Sequence, residues 1–180
     1  MDKISRFLLP LFLVMGMVSV ANAQELQESF ETTKYKIQSV YMYNFTKYIQ
    51  WPDSYNQGDF VVAVMGESPI NDELLSMSEQ KQVNGRSMKV VQVNSLDEIS
   101  QPIHMLYIPS DESPHLGDAL QLTRNEPTLI ITNKEGMGRV GSMINFVTKN
   151  GRPTFEMNIS ALDQRNLVFE QQLKTIAIVI

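Results

Sequence analysis

Six consecutive apolar residues, Phe60-Val-Val-Ala-Val-Met65, closed by Gly66, constrain this chain more than any other stretch. A strand with one wet face alternates apolar and polar side chains. A strand with no polar position over six residues has both faces covered, the habit of parallel sheets flanked by helices. The residues that follow agree. Ser68 and Pro69 supply an N-cap and a proline at the first helical position, Asp72 and Glu73 stand in the opening turn, and Leu74 and Leu75 form the buried pair. The turn Asn84-Gly85 then leads into a strand over residues 88–93. A second unit repeats the plan, with a strand at 104–108, a helix at 115–124 and a strand at 128–132, punctuated by Pro109 and Pro127. Strands at 142–147 and 154–157 flank Asn150-Gly151, a dipeptide suited to a type I′ turn, and so form an antiparallel hairpin. The tail holds a short helix at 160–164 and another at 170–180, with Leu173, Ile176, Ala177 and Ile180 on one face. The expected fold is α/β: a single domain with a mixed, mostly parallel sheet of about six strands, parallel in the first four, helices on both faces and a C-terminal antiparallel hairpin.

Ahead of this core, an aromatic helix starts near Thr32 or Thr33 and is stopped by Pro52, just after the only tryptophan, Trp51. Counting from Ile37, residues Val40, Tyr41, Asn44, Phe45 and Tyr48 share one helix face. Asn44 therefore falls inside the stripe expected to be buried, where an amide without partners costs roughly 1–3 kcal/mol. A latch between segments is the expected role. Glu156 alternates with Phe155 and Met157 along its strand; if it faces helices, it needs a partner such as Lys47, Arg152 or Asn44.

The first residues read as an export signal. Lys3 and Arg6 make a basic start, residues 7–20 are uncharged and apolar, and Ala21-Asn22-Ala23 is a small-x-small cleavage site before Gln24. Residues 1–23 are the expected signal peptide and 24–180 the mature domain, in a compartment beyond the inner membrane and with no stable membrane insertion after cleavage. The apolar stretch is short of the ~20 residues that span a bilayer, and no cysteine follows the cleavage point to carry a lipid. With no cysteine anywhere, disulfides, thiolate metal sites and cysteine nucleophiles are excluded. The processed chain keeps 13 basic and 19 acidic side chains, a net charge of −6 once Asp2, Lys3 and Arg6 are removed, which argues against nucleic acid as a partner.

Chemistry-bearing groups are sparse. Gly136-Met-Gly138-Arg-Val-Gly141 matches G-x-G-x-x-G, but the apolar run after it reads as a strand rather than the helix a pyrophosphate requires. A turn between strands is expected there. His104 and His115 flank a strand without metal-ligand spacing, and each is expected to be structural. Asn158 precedes a short helix and should cap it. No catalytic set, metal site or cofactor is expected.

Taken together, Tyr43-Asn44-Phe45-x-Lys47-Tyr48-x-x-Trp51-Pro52, Gly141-Ser-Met143-Ile-Asn145-Phe146 and Arg152-x-x-Phe155-Glu156-x-Asn158 resemble, in order and spacing, the YfiR family of periplasmic proteins. The resemblance runs from about Lys36 into the region of Leu167 and Leu173. It implies a non-catalytic repressor that holds the extracytoplasmic part of a membrane diguanylate cyclase inactive, lowering cyclic-di-GMP and biofilm formation. It also implies a homodimer, and sequestration by an outer-membrane lipoprotein. Redox control through cysteine pairs, seen in some relatives, does not carry over to a chain without cysteine. The residues expected to contact a partner or ligand are Tyr43, Asn44, Lys47, Trp51, Asn145, Phe146, Glu156, Asn158 and Phe169. The alternative is a periplasmic small-ligand sensor acting on a sensor kinase, with a polar pocket near Asn44, Lys47 and Glu156.

Overall fold

The computed structural model describes residues 30–180; the expected signal peptide and the processed start at Gln24 lie outside them. The chain divides after residue 35. Of the first unit, residues 30–35 are described: they are helical, and Lys34 Nζ lies 2.7 Å from Glu31 Oε2. Lys36–Ile180 is the second unit, an α/β domain.

Its elements, in order, begin with helix α1 (residues 36–48) and strand β1 (Ile49–Gln50). Then come β2 (Phe60–Met65), α2 (Ile70–Gln80), β3 (Gln82–Val83), β4 (Arg86–Val93), β5 (Met105–Ile108), α3 (Leu116–Leu122) and β6 (Leu129–Thr132). After them come α4 (Met137–Val140), β7 (Ile144–Lys149), β8 (Arg152–Met157), α5 (Ile159–Asp163), β9 (Val168–Phe169), α6 (Gln171–Ile176) and β10 (Ile178–Val179). The main sheet has eight strands in the order β10-β8-β7-β6-β5-β2-β4-β3, and β1 pairs with β9 in a separate two-stranded ribbon. Strands β4, β2, β5, β6 and β7 are mutually parallel; β8 runs antiparallel to β7 and parallel to β10. The mixed, mostly parallel sheet with its late antiparallel hairpin is therefore as expected, with eight strands rather than six.

Every residue of β2 is buried, as its composition requires. One face of the sheet presents Val61, Ala63, Met65, Leu106, Ile108 and Ile130 to Leu116 and Ala119 of α3. Because side chains alternate along a strand, Phe146 of β7 and Phe155 of β8 meet Tyr41 and Phe45 of α1 on the other face. Ring centroids there are 5.1 Å apart for Phe45–Phe155 and 5.2 Å for Tyr41–Phe155, both edge-on, a geometry that adds about 0.5–1.5 kcal/mol per pair beyond burial.

Three expectations are corrected. The buried stripe of α1 is Gln38, Ser39, Met42, Phe45 and Thr46, while Val40 is 48% exposed and Asn44 only half-buried. The helix is turned by about one residue because its polar side chains satisfy themselves: Ser39 Oγ donates to Lys36 O, Thr46 Oγ1 to Tyr43 O, and Gln38 Oε1 accepts from Tyr107 Oη at 3.0 Å. Ser68 does not cap α2; Pro69 takes that position without a side-chain bond, and Leu75 faces solvent. The expected helix over 170–180 stops at Ile176, leaving that residue exposed, and β10 then joins the sheet beside β8. A vacant edge on β8 offers backbone partners that a longer helix would leave unmet.

Candidate functional site

Two of the three sequence blocks converge on a polar ladder across β6, β7 and β8. Thr132, Asn145 and Glu156 occupy one register, Thr132 opposite Asn145 and Asn145 opposite Glu156. Each alternates with an apolar neighbour pointing the other way, so the three side chains stand in a row on the face opposite α1. Thr132 Oγ1 donates to Asn145 Oδ1 at 2.8 Å, and Asn145 Nδ2 donates to Glu156 Oε2 at 2.8 Å. Ser142 Oγ, 2.9 Å from Thr132 Oγ1, extends the row to the carbonyl of Ile144. Thr132, Ser142 and Asn145 are fully buried and Glu156 half-buried. A hydrogen-bonded row ending on a carboxylate polarises in one direction, and its members strengthen one another in a low-dielectric setting.

Helix α4 closes the ladder. A Cβ at Gly138 would lie 2.9 Å from Glu156 Oε2 and 2.6 Å from Ile180 Cδ1, so a larger residue there would push aside the ends of both side chains. Asn158 fastens the arrangement from below: Nδ2 donates to Gly138 O at 2.9 Å while Oδ1 accepts from Ala161 N at 3.0 Å. The expected cap on α5 is therefore formed, with a second bond that the sequence did not suggest. Residues 136–141, expected as a turn, are a single helical turn with Gly136 at φ 85° and Gly141 at φ 133°. Strand β7 follows the motif, in place of the long helix that a dinucleotide fingerprint opens.

The latch expected of Asn44 belongs to Asn145. Asn44 sits on the outer side of α1, where its Oδ1 accepts from Lys47 Nζ at 3.2 Å. Lys47 Nζ also lies 4.6 Å from the centre of the Tyr43 ring, and Tyr43 Oη donates to Gln82 O. With exposed Val40, these residues follow the spacing of one helix face and make an amphipathic ridge. Glu156 lies on the opposite side of the sheet from this ridge, so Asn44, Lys47 and Glu156 do not share a pocket. Phe146 is buried in the aromatic core, and Phe169 in β9 is half-buried beneath Lys174 Nζ.

Trp51 anchors the end of the first block. It is buried edge-on against Phe60, and Nε1 donates to His104 O at 3.2 Å. His104 is structural, as expected: Nδ1 accepts from Val61 N at 3.0 Å and Nε2 meets Tyr55 O at 2.8 Å, which fixes a neutral ring with its proton on Nε2. Burial, and secondarily the Arg86 guanidinium beside it, lowers its pKa to about 4. His115 is solvated, 3.6 Å from Glu112. Among the described residues no three His, Cys, Asp or Glu side chains come together as a metal site, and no helix is long and apolar enough to cross a membrane.

Sequence reasoning missed one further feature. The parallel strands change direction of progression between β2 and β5, the place where open α/β sheets leave a crevice beyond the strand ends. Around it Ser68 Oγ, Asn71 Oδ1 and Asn133 Oδ1 are buried without a hydrogen-bond partner. Loop asparagines and serines are too common to have marked it.

No curated protein matches the chain. The family model described as YfiR/HmsC-like matches residues 35–177, taking in the α1 ridge, the ladder and the cap on α5. The chain belongs to the YfiR/HmsC-like family.

Proposed function

We propose that this protein is a non-catalytic periplasmic regulator that binds the extracytoplasmic domain of a membrane diguanylate cyclase and holds it in its inactive state, lowering cyclic-di-GMP. The observation that carries the reading is the family match over residues 35–177, which spans almost the whole described domain. The chemistry of the site is in keeping with it. Asn145, Glu156 and Asn158, the polar residues of the later blocks, spend their hydrogen bonds inside the fold, whereas Tyr43, Asn44 and Lys47 reach the surface of α1.

Inhibition of this kind needs differential affinity alone. A ligand shifts a two-state receptor by the difference between its affinities for the two states, and moving a population from 99:1 to 1:99 takes about 5.5 kcal/mol. An interface of about 1,600 Å² with a few well-placed aromatic and cationic residues supplies that. The α1 ridge is the partner surface in this reading, and homodimerisation and sequestration by an outer-membrane lipoprotein are further interactions it would serve. Deleting the gene in cells that express the cyclase should raise cyclic-di-GMP and surface attachment, and the wild-type gene should restore both. An unchanged nucleotide level would remove the cyclase as target. The sensor reading loses the pocket assigned to it, since its three residues lie on opposite sides of the sheet.

A further inference from the structure

Arg165 is nine-tenths buried, and no carboxylate among the described residues lies within ion-pair reach of it. Its guanidinium is held by neutral oxygens. Nη2 donates to Leu120 O at 2.8 Å, and Nη1 to Thr123 Oγ1 at 3.1 Å and Glu126 O at 3.4 Å. Thr123 Oγ1 gives its own proton to Ala119 O, so it can only accept from the arginine. The carbonyls at the end of α3 offset part of the charge. They do not neutralise it, and a buried cation without a counter-charge is costly. Burial accordingly lowers the pKa of this group. Among the described residues its hydrogen bonds run through Nη1 and Nη2, and none is formed by Nε–H.

Arg165 is among the residues lining a cavity of about 360 Å³ between α3, α4 and α5. Leu120 and Met143 form an apolar wall. Ser160 of α5 and Gln164, the residue that ends it one turn later, bring a hydroxyl and an amide that form no hydrogen bond among the described residues. Asn158, already committed to Gly138 O and Ala161 N, shapes the floor. A positive fork, two further donors and an apolar wall in a concavity of this size make a receptor for a negatively charged group, because the planar guanidinium matches the paired oxygens of carboxylate and phosphate.

We infer that the cavity bounded by Leu120, Gly141, Ser160, Gln164 and Arg165 is a binding site for a small anionic molecule presenting a carboxylate or a phosphate. The bound oxygens take the Nε–H of Arg165 together with the Ser160 hydroxyl and the Gln164 amide. The site is separate from the α1 ridge, so it stands or falls independently of the cyclase reading.

The test is thermal unfolding and titration calorimetry of the exported, processed protein with inorganic phosphate and with succinate, against sodium chloride at matched ionic strength. A saturable rise in Tm of about 5 °C at a hundredfold excess over Kd is expected for at least one anion. Phosphate alone, succinate alone, or both, supports the inference and identifies the group recognised. Arg165 also caps α3, so its replacement can unfold the protein, and a second variant keeps the test decisive. Gln164→Glu puts a carboxylate beside the guanidinium without touching its cap; it should raise Tm in the absence of anion and weaken anion binding at least tenfold. No saturable shift with either anion, a shift equal to that of chloride, or one undiminished in Gln164→Glu overturns the inference.

Discussion

His104, expected from the sequence to be structural, is architectural in the fold, and its titration follows from that role. Both ring nitrogens are engaged by backbone, one accepting from Val61 N and the other facing Tyr55 O, so a second proton must displace the Val61 amide. The folded pKa of about 4 is depressed from 6.5. Between those values the unfolded chain binds a proton that the native one does not, so stability falls as pH drops through that window and this contribution is constant above it. The whole effect is roughly 3 kcal/mol. Denaturant titrations at pH 7.5 and 4.5 should show the loss, and His104→Gln should flatten that part of the profile. The two asparagines divide in the same way. Asn145→Leu removes the bond of Thr132 to Asn145 and leaves the half-buried Glu156 carboxylate without its amide donor, and should cost about 3 kcal/mol. Asn44→Leu removes a surface contact to Lys47 and should cost under about 0.5 kcal/mol. Chemical denaturation of both variants measures the contrast directly.

At the scale of elements, patterns that depend on local chemistry were legible and those that depend on distant partners were not. The β2 strand was readable to the residue because an unbroken apolar run has one solution. The Asn84-Gly85 and Asn150-Gly151 turns were readable because consecutive positive φ angles, 51° and 79° in the first and 53° and 72° in the second, favour those residue types. The rotation of α1 was hidden, since the burial of Gln38 is decided by Tyr107, far along the chain. The ladder was hidden for the same reason: Glu156 was correctly suspected of needing a partner, but Asn145 becomes that partner only through strand register. Strand β10 was masked by a helical spacing of apolar residues, which competes with an open edge that no local pattern reports. That edge carries a prediction. Ile178 and Val179 pair with Glu156 and Met157, Ile180 N donates to Met157 O, and the Ile180 side chain packs at Gly138. Removing residues 178–180 should uncover β8, lower Tm by several degrees and promote concentration-dependent association, as measured by thermal unfolding and light scattering.

For the molecule as a whole, the division of labour between interior and surface decides what a mutational survey of partner binding will find. The blocks that define the family mix residues that build the fold with residues that face outward, and a loss of repression alone cannot tell them apart. Phe45, Trp51, Asn145, Phe146 and Phe155 are buried; their replacement should abolish regulation by lowering the amount of folded protein, with Tm and regulation falling together. Tyr43 and Lys47 are different. They touch each other, and Lys47 touches Asn44, on the outer side of α1; among the described residues the one hydrogen bond from this group to another element is that of Tyr43 Oη to Gln82 O. Tyr43→Ala with Lys47→Ala should therefore leave Tm within about 3 °C of wild type, since exposed contacts of this kind contribute less than about 1 kcal/mol. If the ridge is the surface that grips the cyclase, an aromatic anchor and its neighbouring cation are worth 2 kcal/mol or more at an interface, about thirtyfold in Kd. Binding of the pair variant to the isolated extracytoplasmic domain, measured by calorimetry alongside its unfolding curve, should show that loss of affinity at unchanged stability. Wild-type affinity in the variant would move the partner surface off α1 while leaving the family reading intact, because repression would then be exerted through another face of the same fold.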